Sequence, residues 1–321
     1  MDESAGKPMK INCVVLNYND AETVTKLVHM IHDYDYLEQI VVVDNASTDD
    51  SWEHLEILKD EKTTVIRTEK NGGYGAGNNA GVRYAAEVNG ATHVLIVNPD
   101  VVFTENCVIQ MSRVFSKHPD VGVVAASMED EVFGQGNSHN GWRLHGFVGE
   151  LLAMGPISRR VFRLFLQYPE SYFRNKKAVY VDAVHGSMLM VDTKAFHDCG
   201  GYDEGIFLYQ EEAVLGWRMK TSGYRTVLLL NQTYQHQHSV TISKSYDSLS
   251  KRQKLRNEST LYYMKHYLYI TPLQQCLAKL WFQGILLEDW AAAWASRLSQ
   301  GLSQGRRLPE EREECEDEAG G

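Results

Sequence analysis

The strongest constraint on this chain is an alternation running from Ile11 to Ala125. Short apolar runs, each closed by polar residues, are interleaved with stretches whose apolar residues recur at helical spacing. Ile11–Leu16, Ile40–Val43, Thr63–Arg67, His93–Val97 and Val121–Ala125 read as strands. Between them Asp20–His32 carries Ala21, Val24, Leu27, Val28 and Ile31 on one helical face. Asp50–Leu58, a segment from near Ala76 to Val88, and Glu105–Phe115 read as further helices. Strand, helix, strand at this spacing predicts right-handed βαβ units around a mostly parallel sheet, an α/β fold. Ligands of such sheets bind outside the carboxyl ends of the strands, so the residues directly after each strand are the candidates for function.

Past Ala125 the pattern breaks. Residues 129–177 are rich in Gly, His, Arg and aromatics without a clear period, which reads as a long functional loop. Regularity returns with a strand at Ser187–Val191, a helix at Leu208–Thr221 and a strand at Thr226–Leu230. Leu249–Tyr269 and Leu273–Leu302 read as long helices separated by Pro272, and the end of the chain is mostly Glu and Asp. The expected division is therefore an α/β domain over 9–245, a helical extension over 246–305 and an acidic disordered tail over 306–321. The extension is dense in Tyr and Trp. It is expected to pack as a helical hairpin on the α/β domain or on a second copy of the chain, with a peripheral membrane contact as the alternative.

With 32 basic and 42 acidic side chains the formal net charge is 32 − 42 = −10, which argues against binding nucleic acid as a polymer. Five scattered cysteines without a CxxC read as free thiols of a reducing compartment. The first ten residues lack an apolar signal core, and no apolar run approaches the ~20 residues of a membrane span. A cytoplasmic location is expected, at most peripheral at the inner face of the cell membrane. The N-x-S/T matches at Asn45, Asn231 and Asn257 are then chance.

The strand ends repay inspection. The first strand ends in Asn17-Tyr18-Asn19-Asp20, the second in Asp44-Asn45-Ala46-Ser47-Thr48-Asp49, the fourth in Asn98-Pro99-Asp100. Between the last two lies Asn71-Gly72-Gly73-Tyr74-Gly75-Ala76-Gly77-Asn78-Asn79-Ala80-Gly81. Any one of these segments alone is a turn or a helix cap. Gly75 to Ala80 also fits the dinucleotide fingerprint, which would make the protein an NAD-dependent oxidoreductase. That fingerprint belongs after the first strand of a βαβ unit, whereas here it follows a third, polar strand.

Together, in this order, the blocks resemble the family 2 inverting glycosyltransferases with the GT-A fold, above all their rhamnosyltransferase-like branch. The resemblance continues through Gly200-Gly201-Tyr202-Asp203-Glu204, Phe207 to Glu212 and Leu215-Gly216-Trp217-Arg218, and covers about residues 9 to 243. It implies a Rossmann-like nucleotide-diphospho-sugar transferase domain with a C-terminal helical extension. It also implies an inverting transfer of a sugar from a nucleotide diphosphate donor to a saccharide or lipid-linked saccharide acceptor in bacterial cell-surface polysaccharide synthesis. The branch suggests L-rhamnose from dTDP-rhamnose first, UDP-galactose or another UDP-hexose next. A degenerate protein that binds a nucleotide sugar or glycan without turnover is the alternative.

The resemblance also assigns roles. Asp44 would receive the nucleobase imide, Tyr18 would lie against the base, and Asn17, Asn19, Asn78 and Asn98 would contact the donor. Gly73 and Gly77 would let the backbone approach the nucleotide. Asp100 is the expected ligand of a divalent metal, Mg²⁺ or Mn²⁺, with His236 and then His238 as the histidine ligand. Of the Glu211-Glu212 pair, Glu212 is the expected catalytic base, standing where most relatives have Asp. Asp182, His185, Gly186 and Trp217 are placed on the acceptor side, although packing on a helix is the better reading of Trp217. Asn98 and Val214 each stand where the family pattern has an Asp.

Overall fold

A computed structural model describes residues 9–129, 140–237 and 249–285. In its first third, strands β1 (Ile11–Asn17), β2 (Gln39–Asp44), β3 (Thr63–Arg67) and β4 (His93–Val97) alternate with helices α1 (Ala21–Ile31), α2 (Ser51–Glu56) and α3 (Tyr74–Glu87). A short β5 (Val101–Val102), α4 (Glu105–Lys117) and β6 (Val121–Glu129) follow. Every strand and helix read from the first 125 residues is present, with ends moved by a few positions. The reason is local: α1 buries Ala21, Val24, Leu27, Val28 and Ile31, the apolar stripe visible in the sequence. The α4 N-terminus is fixed by Thr104, whose side chain accepts a hydrogen bond from the Cys107 amide.

The stretch expected to be one irregular loop is largely built. Within its described part lie β7 (Gly141–Trp142) and four short helices, α5 (Phe147–Met154), α6 (Pro156–Val161), α7 (Arg163–Leu166) and α8 (Glu170–Phe173). Each is too short for its periodicity to register in sequence. After them come β8 (Ala178–Val181), β9 (Ala183–Val184), β10 (Met188–Asp192), α9 (Thr193–Asp198), α10 (Glu211–Thr221), β11 (Arg225–His236) and α11 (Leu249–His266).

Among the described residues nine strands form one sheet, ordered β3-β2-β1-β4-β10-β6-β11-β5, with β8 also pairing with β11. β1, β2, β3 and β4 run parallel, as do β6 and β11. β10 lies antiparallel between β4 and β6, with Met188 opposite Val97 and Leu189 opposite Ala125. Helices cover both faces. One core joins α1, α2 and α4 to the sheet through Val24, Leu27, Leu55, Val108 and Met111. The other joins α3, α9 and α10 through Val82, Ala85, Phe196, Leu215 and Met219.

The described part of the C-terminal region packs on the same chain. Tyr263 and Tyr267 of α11 share a buried cluster with Ile206, Ala213 and Val214. Val214 is thus core beneath α11, which accounts for an apolar residue where the family pattern has an acid. A further helical stretch at 272–285 closes a second cluster with Met154 and Met264. The expected second helix beyond residue 285, Trp290, Trp294 and the acidic tail lie outside the described residues. No helix among those described is long and apolar enough to cross a membrane.

Candidate active site

The polar strand ends converge at the carboxyl edge of the sheet. The Asn17 amide donates to Asp44 Oδ1 (3.0 Å) and to Ser47 Oγ (3.0 Å), tying the ends of β1 and β2. Asp44 is fully buried, and its other oxygen meets Arg67 Nε at 3.1 Å and the Ser47 amide at 3.3 Å. Asn19, left-handed at φ 55°, locks onto Thr48 through its side chain. Tyr18 stays partly exposed between them. Asn45 carries the link onward, donating to Asn71 Oδ1 and the Gly73 carbonyl, each at 3.0 Å. Arg67, Ser47 and Asn71 thus organise this corner, and only their spatial neighbours give them that role.

The glycines serve the fold here. A Cβ on Gly73 (φ +89°) would lie 2.1 Å from the Phe207 carbonyl oxygen, and one on Gly77 would lie 2.3 Å from Leu16 Cδ1. Both absences let α3 sit close to its own chain, so these glycines have a packing role in the fold. Asn78 is also turned inward. It is buried, and its side-chain amide donates to the Tyr74 carbonyl at 3.0 Å within α3. Gly73→Ala combines a clash with a backbone region that is nearly glycine-only, and is expected to cost about 3 kcal/mol or more. Urea unfolding of the variant checks it.

A second group gathers around β10. The Asn98 amide donates to the Ser187 carbonyl at 2.8 Å, joining the end of β4 to the start of β10. Two residues on, Asp100 Oδ1 lies 3.2 Å from His236 Nε2 at the end of β11, both side chains largely buried. His185 packs on His236 with ring centroids 5.7 Å apart and bonds Ser187 Oγ at 2.9 Å. Ser187 in turn meets the Tyr234 hydroxyl at 2.6 Å. Asp100 and His236 therefore lie side by side. His238 lies outside the described residues. No cluster of three or more such ligands occurs among the described residues.

Glu212 reaches the same place from the opposite side. Its Oε1 accepts the Gly186 amide at 3.2 Å, and the Gly186 carbonyl accepts the Tyr74 hydroxyl at 2.6 Å. Burial keeps the Tyr74 phenol protonated. Tyr74 is a site residue that sequence reading missed, although it sits inside the glycine-rich block. Glu211, one position earlier, is 5 % exposed, and its Oε1 has no hydrogen-bond partner among the described residues. Burial, then the neighbouring Glu212 charge, pushes its carboxyl up to about 8.

The two glutamates are held by strain and a brace. The helix expected from Leu208 starts at Glu211, because Tyr209 and Gln210 are both left-handed at φ 72°. Such residues persist only where neighbours fix them. Here Ser259 Oγ donates to the Leu208 carbonyl at 2.6 Å and Gln210 donates to Thr260 Oγ1 at 3.2 Å, both from α11.

Two residues expected on the acceptor side, Asp182 and Trp217, make structural contacts. Asp182 binds Lys220 at 2.8 Å and the Leu144 amide at 3.0 Å. Trp217 packs edge-on against Tyr267 with centroids 5.3 Å apart, the core reading. Gly186 does border Glu212, and His185 precedes it in the chain.

Glu211 gives a pH prediction. Below pH 4.5 it is protonated folded or unfolded; between 4.5 and about 8 only the unfolded chain ionises it freely. Wild-type stability from this group falls as pH rises through that window. Glu211→Gln should therefore flatten the melting temperature against pH between those limits, relative to wild type. Differential scanning fluorimetry reads the difference.

The chain matches the family model described as glycosyl transferase family 2 over residues 13–192, more than half its length. It is 24 % identical over 211 residues to the low-salt glycan biosynthesis hexosyltransferase Agl10 of Haloferax volcanii, covering 65 % of this chain and 61 % of that protein. It is 23 % identical over 213 residues to the N-acetylglucosaminyl-diphospho-decaprenol L-rhamnosyltransferase of Mycobacterium tuberculosis, covering 61 % and 66 % respectively. The chain thus spans less than two thirds of the length of either relative. Among solved structures, the mannosyltransferase PcManGT of Pyrobaculum calidifontis, in complex with GDP-Man and Mn²⁺, superposes with a TM-score of 0.55 at 15 % identity over 94 % of this chain and 81 % of that one. That likeness is one of fold, the GT-A architecture expected from the sequence.

Proposed function

The chain belongs to glycosyl transferase family 2, and on that premise we propose that it moves a sugar from a nucleotide diphosphate donor to a saccharide acceptor with inversion at the anomeric carbon. One observation carries this reading. Glu212, held by Gly186, and the Asp100–His236 pair meet around the start of β10, where ligands of such sheets bind. Glu212 removes the proton of the acceptor hydroxyl as its oxygen bonds to the anomeric carbon and the bond to the diphosphate breaks. One displacement inverts the configuration. Glu211, protonated near neutrality, stays uncharged beside it and leaves Glu212 as the base.

A carboxylate and an imidazole are too few to cage a metal alone, but they suit Mg²⁺ or Mn²⁺ whose remaining positions are filled by phosphate oxygens. Asp100 and His236 would hold it, and when bound it supplies positive charge against the leaving diphosphate. In an acidic chain that charge is otherwise scarce. dTDP-rhamnose is the first donor to test, UDP-galactose and other UDP-hexoses next. The rhamnosyltransferase relative's name supports a lipid-linked acceptor.

A thermal-shift screen of nucleotide sugars with and without Mn²⁺ tests the proposal. A donor at 100 times its dissociation constant stabilises the folded chain by about 2.7 kcal/mol. The expected result is one donor that raises the melting temperature only with Mn²⁺. No shift with any nucleotide sugar would sink it.

A further inference from the structure

The turn formed by α6 and α7 takes no part in this site, yet it is built with care. Arg159-Arg160-Val161-Phe162-Arg163-Leu164-Phe165 are seven consecutive exposed residues. Leu164 is 88 % exposed, Val161 69 % and Phe165 60 %. Apolar side chains of this size are normally hidden, and a contiguous group of them marks a contact surface. The turn is anchored at both ends. Ser158 Oγ donates to the Leu152 carbonyl at 3.0 Å, while buried Leu166 offers its carbonyl to His145 Nε2 at 2.7 Å.

The sequence that contains it is basic, against the acidic balance of the chain. Residues 143–177 hold seven Lys and Arg against Glu150 and Glu170, a local 7 − 2 = +5 in a protein of net −10. A second apolar stripe lies on the neighbouring helical stretch, where Leu273, Leu277 and Leu280 are exposed at helical spacing. That stretch is tied to α5 by Trp281, whose indole N–H donates to the Leu151 carbonyl at 2.9 Å.

We propose that the α6–α7 ledge docks the protein on an anionic lipid bilayer, its aromatic and aliphatic side chains entering the interface and its arginines meeting the headgroups. Interleaved Arg and Phe or Leu are the composition of interfacial elements. A second copy of the chain fits less well, since a two-fold pairing of this patch would set Arg159, Arg160 and Arg163 against their own copies. The segment leading into the ledge is fastened beside the site, with the His185 amide donating to the Asn140 carbonyl at 2.9 Å. The docking stands on this surface alone and is independent of the sugar-transfer reading, because vesicle binding needs no donor.

Co-sedimentation of the full chain with vesicles of phosphatidylcholine alone, and of phosphatidylcholine mixed with phosphatidylglycerol, decides it. Each basic side chain near an anionic surface is worth roughly fivefold in binding. Mixed vesicles should therefore be bound at least tenfold better than neutral ones, less so as salt rises. Leu164→Asp with Phe165→Asp should cut that binding at least tenfold with an unchanged melting temperature, both residues being exposed. Arg159→Glu with Arg160→Glu and Arg163→Glu should abolish the preference for anionic lipid. Failure to bind mixed vesicles, or binding that ignores both variants, overturns the proposal. So does a dimer by light scattering that the Leu164→Asp, Phe165→Asp variant dissociates.

Discussion

Glu212→Gln is expected to lower sugar transfer by about 10³-fold while leaving donor binding intact, within the 10² to 10⁴ that a positioned general base contributes. The substitution is chosen for what it keeps. The amide oxygen of Gln can still accept the Gly186 amide that Glu212 Oε1 now accepts at 3.2 Å, so the loop before β10 stays in place. What it removes is the basic lone pair that the proposed mechanism requires. Glu211→Gln is the control on the adjacent position. Glu211 is buried, its Oε1 has no hydrogen-bond partner among the described residues and it is largely protonated near neutral pH, so its loss should spare most of the turnover. If Glu211→Gln proved the inactive variant and Glu212→Gln the active one, the assignment of the base would be reversed.

The second large effect is expected at Asp100. Asp100→Ala takes the carboxylate from the pair it forms with His236 at 3.2 Å. Metal charge on a leaving diphosphate is worth several kcal/mol, so turnover should fall by about 10³-fold. Stabilisation by nucleotide should also cease to depend on Mn²⁺. Chelation by EDTA should do the same to the wild type, reversibly on adding Mn²⁺. Melting curves with nucleotide, with and without metal, separate this from misfolding, because the bare variant should melt near the wild-type temperature. An Asp100→Ala protein whose nucleotide binding still responds to Mn²⁺ would remove Asp100 from the metal site.

The parts of this account that sequence made legible are the local ones. β1 to β4 and α1 announce themselves because a strand or helix buries a periodic pattern written in neighbouring residues. Their polar ends, Asn17, Asp44 and Asp100, were found by the same route. The misses are contacts between distant segments. Nothing near Gly77 says that Leu16 lies where its Cβ would stand, so the packing role of this glycine is invisible in the sequence. Nothing near Glu211 says that Ser259 and Thr260, some fifty positions on, brace a left-handed pair before it. Tyr74, bonded to Gly186 across 112 positions, is the same kind of case. Trp217 shows the opposite outcome, since the packing reading preferred from its helical setting is the one Tyr267 satisfies.

The most direct test of the central claim is release of nucleoside diphosphate from a donor panel of dTDP-rhamnose, UDP-galactose, UDP-glucose, UDP-GlcNAc and GDP-mannose, with Mn²⁺, by wild type and Glu212→Gln. The account predicts turnover of one donor by the wild type, abolished by EDTA and lowered about 10³-fold in the variant. Mn²⁺-dependent binding of a donor with no release by the wild type, alone or with saccharide acceptors present, would contradict it and make the protein a binder of nucleotide sugars.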